Sequence, residues 1–139
     1  MSCVLIVIFF LNASWALAQS QAGHAIDRQI DTCLSKNASI LGMIACHSEG
    51  LKSWEMEMNK VYYQLLSKIT DISLQNLLKE EQSTWEQMRQ LEHHFDEKFY
   101  AHIGAEWLVV AASARVDAVR QRTLRLREYY YLLEKKSNK

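Results

Sequence analysis

Cys33 and Cys46 constrain this chain more than any other pair of residues. The third cysteine, Cys3, opens the run Cys-Val-Leu-Ile-Val-Ile-Phe-Phe-Leu, an apolar stretch of secretory length, and Ala16-Leu17-Ala18 follows with the small residues a signal peptidase reads. Cleavage before Gln19 makes residues 1–18 a signal peptide, removes Cys3 and delivers an even pair of thiols to an oxidising compartment, where pairing is the default. One unbroken helix from residue 33 to 46 would hold the two Cα atoms about 20 Å apart, whereas a disulfide needs roughly 4.4 to 6.8 Å. The chain must therefore reverse between them. Lys36-Asn37-Ala38-Ser39 is the place, since Asn and Ser turn the backbone and Ser39 can cap the helix that follows. Such a bridge stabilises a fold by on the order of 3 kcal/mol. The competing reading, a reactive or metal-binding thiol pair, lacks the Cys-x-x-Cys spacing and the further ligands that such sites use.

The leader is irregular in having no Lys or Arg before its apolar run, and it is far shorter than the roughly 20 apolar residues that span a bilayer, so a stable membrane span is not expected. The localisation this implies is periplasmic or secreted.

The rest of the chain reads as helix. There is no proline, and the only glycines are Gly23, Gly42, Gly50 and Gly104, so the punctuation of hairpins and tight turns is nearly absent. Apolar spacing predicts a short helix over about Ile26 to Ser35, with Ile26, Ile30, Cys33 and Leu34 on one side. A second, about Ile40 to Ile69, carries Met43, Cys46, Gly50, Trp54, Met58, Val61, Tyr62, Leu65 and Ile69 at steps of three and four. Gly50 costs such a helix about 1 kcal/mol against alanine, which a closely approaching neighbour would explain. Thr70-Asp71-Ile72-Ser73 supplies a connection and an N-cap, after which Leu74, Leu77, Leu78, Trp85, Met88, Phe95 and Phe99 mark a third helix to about Ala101, closed by Gly104. A fourth, about Glu106 to Leu133, aligns Leu108, Ala112, Val116, Val119, Leu126, Tyr130 and Leu133. The expected fold is all-α, a small up-and-down bundle of one short N-terminal helix and three long ones with one disulfide. Its body spans residues 26–135, between a flexible stretch at 19–25 and a disordered tail at 136–139.

Sixteen Lys and Arg balance sixteen Asp and Glu, which leaves no global field toward nucleic acid or an anionic membrane. The balance is uneven along the chain. From Arg115 to Lys139 there are eight basic and three acidic residues, a net of +5, so the part before it carries −5. That segment reads as a solvated basic face; the alternative is a docking surface, in which Tyr129-Tyr130-Tyr131 would join.

One set of residues forms a pattern beyond packing. Trp54-Glu55-Met56-Glu57-Met58-Asn59 is followed by Tyr62 and Leu65, then by Gln82-x-x-Trp85-x-x-x-Arg89, and finally by Arg122-Thr123-x-x-Leu126. Taken in this order and spacing, and with the early cysteine pair, it resembles the LprI-like lysozyme-inhibitor family of small exported bacterial proteins over roughly Cys33 to Tyr130. The resemblance implies a helical fold and a protein partner, a lysozyme-like glycoside hydrolase. Members commonly carry a second cysteine pair, and by spacing those positions here are His93 and Ala114, so both partners are replaced together. Glu55 also stands where an aspartate is usual. Asn59, Gln82 and Arg89 are polar groups beside apolar seams, and Glu55 or Glu81 could accept from Arg89. Two roles fit them: fixing helix register inside the bundle, or facing a partner.

No enzyme is expected, and no cofactor. The densest set of possible ligands, Glu92-His93-His94-Phe95-Asp96-Glu97, puts His93 and Glu97 one turn apart but nothing completes a metal site, and Ser48 and Ser53 near His47 lack an orienting third group. The function expected is inhibition of a lysozyme-type muramidase, as the resemblance implies; the alternative is a non-enzymatic structural or interaction module of the bacterial cell envelope. The oligomeric state stays open at this level.

Overall fold

The computed structural model describes residues 23–137, so the expected signal peptide lies outside the described residues. Four helices follow one another: α1 (Ala25–Leu34), α2 (Ile40–Lys68), α3 (Ile72–Ile103) and α4 (Leu108–Ser137), the last entered through a 3-10 turn at Ala105–Trp107. Each start has a local cause. The ring nitrogen Nδ1 of His24 accepts from the Ile26 amide, Ser39 Oγ from the Gly42 amide at 3.0 Å, and Asp71 Oδ1 from the Ser73 and Leu74 amides. Gly104 ends α3 with φ +148°, a conformation side-chain-bearing residues rarely adopt. Helix α1 begins at Ala25 and α4 runs to Ser137, each slightly beyond the expected body.

Cys33 and Cys46 are bonded, with Cα atoms 5.6 Å apart. The reversal falls in the intervening loop, where Asn37 Nδ2 donates to the Cys33 carbonyl at 2.9 Å. The bridge lays α1 back along α2, and Ile30 of α1 sits over Gly50: a Cβ built there would overlap Ile30 Cγ1 and Cδ1. The glycine that looked costly in a helix interior is thus where two helices meet.

The core lies between α2 and α4. Trp54, Met58, Val61 and Leu65 pack with Val116, Val119 and Leu126, joined by Ile30 and by Leu78 of α3. Arg127 pairs with Glu57 at 2.7 Å and Glu134 with Lys68 at 2.9 Å, so the two helices advance in the same direction. Consecutive helices are antiparallel, as expected of an up-and-down bundle, while the most extensive packing joins two parallel helices that are not neighbours in sequence.

Helix α3 departs from expectation. Of its expected core line only Leu78 is buried and Trp85 half-buried; Leu74, Leu77, Met88, Phe95 and Phe99 are exposed. Its inward line runs Leu78, Gln82, Trp85, Arg89, chosen by polar partners on α2 and α4 rather than by the apolar stripe.

Candidate functional site

Arg122 is the centre of the polar contacts that hold α3. Its position in the buried face of α4 leaves it 7% exposed, so its charge must be met inside the protein. Nε donates to Gln82 Oε1 at 2.9 Å, while Nη1 and Nη2 donate to the two oxygens of Glu81, a bidentate pair. Gln82 is buried too, and its amide nitrogen points at Met58 Sδ, 3.9 Å away in α2. Two turns further along α3, Arg89 donates to Glu55 of α2 at 2.8 Å and to Glu86 at 2.9 Å. Burial works against the Arg89 charge, but these two carboxylates outweigh it and hold its pKa above the ordinary value. The Trp85 ring lies 5.3 Å from the Arg89 guanidinium and 5.5 Å from that of Arg122, within cation–π range of both.

A second cluster ties α1 to the bundle. Trp54, fully buried, donates from Nε1 to Asp27 Oδ1 at 3.2 Å; Asp27 also accepts from Arg120 Nε at 3.0 Å, and the His24 ring lies 4.4 Å from that of Trp54. Asp27, Arg120 and Arg127 carry no sequence signal of their own, because their partners lie 27 to 93 positions away.

The motif residues therefore divide. Trp54, Glu55, Glu57, Gln82, Trp85, Arg89 and Arg122 brace the helices through inter-helix contacts. Tyr62 is half-buried, and burial raises its phenol pKa. Asn59 is exposed and outside this network. The expected choice of Glu55 or Glu81 for Arg89 resolves as Glu55, with Glu81 taken by Arg122. The basic segment resolves as well: Arg115, Arg120, Arg122 and Arg127 of α4 pair with Glu97, Asp27, Glu81 and Glu57 of the other three helices. The excess of +5 is largely matched within the fold instead of forming a solvated or docking face.

Between α3 and α4 a cleft of about 440 Å³ is lined by Glu55, Arg89, His93, Asp96, Ala114 and Arg115 among others. His93 and Ala114, the positions picked out by spacing as replaced cysteines, thus line one space. No covalent staple holds the helices there; the link is Arg115 to Glu97 at 3.4 Å. Burial lowers the Arg115 pKa. Among the described residues no three His, Cys, Asp or Glu side chains converge as a metal site. Ser53 Oγ donates to the Glu49 carbonyl, not to His47.

These features define a small disulfide-braced helical bundle whose buried and half-buried arginines clamp its own helices. The family model for lysozyme inhibitor LprI matches residues 33–126, more than half of the 139-residue chain. The chain belongs to this family. No curated protein and no solved structure matches it.

Proposed function

We propose that this protein is an exported inhibitor of a lysozyme-type muramidase. The observation that carries the reading is the family match over residues 33–126. Among the described residues no helix is long and apolar enough to cross a membrane.

Blocking such an enzyme requires a group that enters a cleft holding two carboxylates, and a cation on a stiff support suits that task. The α1–α2 loop has this form. Lys36 is exposed, its amide donates to the Cys33 carbonyl at 3.1 Å, and the disulfide and Asn37 brace the turn on either side. Leu41 and Trp107 are exposed at the same end of the bundle, apolar groups that a partner could cover.

The test is turnover of bacterial cell walls by a lysozyme-type muramidase with the oxidised protein added. Inhibition is expected, with Lys36→Glu weakening it by at least about tenfold while the helical spectrum is unchanged. Full muramidase turnover at high micromolar protein would remove the proposal.

A further inference from the structure

A long unpartnered apolar face lies along α3. Met88, Leu91, Phe95, Phe99 and Ile103 succeed one another at steps of three and four, so they share one helix face, and Leu77 extends it toward the other end. Met88 is 63% exposed, Leu91 71% and Phe95 63%. Phe95 and Phe99 already stack, with centroids 5.8 Å apart. This face is turned well away from the inward line of Gln82, Trp85 and Arg89. With these exposures the six side chains offer roughly 700 Å² of surface, more than a typical monomer leaves open in one patch and close to one partner's share of a standard interface.

We infer that this face of α3 pairs with the same face of a second copy, antiparallel about a two-fold axis between Arg89 and Gln90. The register follows from the stripe itself. An isologous contact centred there brings Met88 level with Leu91 of the second copy and Phe95 level with Thr84, so apolar groups cover one another twice. It also brings Glu81 level with Lys98 of the second copy and Glu80 within one residue of that level, again twice. No charged residue from Lys79 to Lys98 then comes level with its own sign, and the two helix dipoles oppose each other favourably. The same stripe paired in parallel would stack each charge on its like. The pairing leaves the α1–α2 loop free, so it stands or falls independently of muramidase inhibition.

Sedimentation equilibrium of the oxidised protein, from low micromolar to about 100 µM, tests it. A dimer is expected, and Leu91→Glu with Phe95→Glu should raise its dissociation constant by at least about 100-fold while helicity and the disulfide persist. Glu80→Lys or Lys98→Glu alone should weaken pairing by about tenfold, and the two together should restore it. A wild-type monomer at the highest concentration would overturn the inference, as would a dimer indifferent to the Leu91 and Phe95 changes; a double charge swap that fails to restore pairing would overturn the antiparallel register.

Discussion

Helices α2 and α4 are held together by what they exclude from water, and α3 is held by what it binds. Trp54, Met58, Leu65, Val119 and Leu126 are essentially inaccessible and interdigitate along the parallel pair. Helix α3, the longest element, contributes Leu78 alone to that core and is fastened through Gln82, Arg89 and the Glu81–Arg122 pair, with its apolar stripe outward. Apolar burial is non-directional and tolerant, whereas a buried guanidinium works only while each of its partners is in place. The difference teaches that three helices of similar length can play unlike parts: one pair forms the stable body, and the third is a clamped arm free to present a surface.

The comparison can be broken from either side. Trp54→Ala removes the largest core side chain and the anchor for Asp27 and His24, and should cost about 3–5 kcal/mol in denaturant unfolding, with all helices melting together. Arg122→Ala should cost less, about 2 kcal/mol, because Glu81 is half exposed and keeps its solvation, and the loss should appear chiefly as detachment of α3. Gly50→Ala forces a methyl into Ile30 and should cost about 1–3 kcal/mol, read as a lower denaturation midpoint and looser α1.

A smaller effect comes from His47, buried in α2 with Nδ1 lacking a protein partner. Burial lowers its pKa from 6.5, and Asp117 only partly opposes this. A histidine held neutral by the fold binds fewer protons there than in the unfolded chain. Its contribution is therefore intact above pH 6.5 and is lost as pH falls below that value toward its folded pKa. The denaturation midpoint should drop between neutral and mildly acid pH, and His47→Leu should flatten that part of the profile. The smallest expected effect is that of Lys68→Ala. Its exposed pair with Glu134 raises the lysine pKa and lowers the glutamate's, yet removing it should leave the midpoint unchanged.

The α2 seam was legible because nearly every residue at its three-and-four spacing is buried, and Gly50 was legible because a glycine in a helix interior needs a neighbour to justify it. The early cysteines fixed the first reversal for a geometric reason that holds whatever the rest of the chain does. Periodicity misdirected at α3. A stripe such as Met88, Phe95 and Phe99 says that a helix has an apolar face, not that its own chain covers that face. What turned α3 was a set of long-range charges, Arg122 to Glu81 and Arg89 to Glu55, whose partners lie 41 and 34 positions apart. The motif singled out Gln82, Trp85, Arg89 and Arg122, which lie in mutual contact, but spacing could not say which carboxylate each arginine would take. For the same reason the basic run of α4 looked like an outer face when most of its arginines reach the acids of other helices.

The division between body and arm is tested most directly by native-state hydrogen exchange on the Leu91→Glu, Phe95→Glu form, where no second copy can protect α3. The account predicts that amides from Met88 to Ile103 exchange through a local opening well below the global unfolding free energy, while those around Trp54 to Leu65 and Val116 to Leu126 exchange only with global unfolding. Equal protection of α3 and the α2–α4 pair would contradict it.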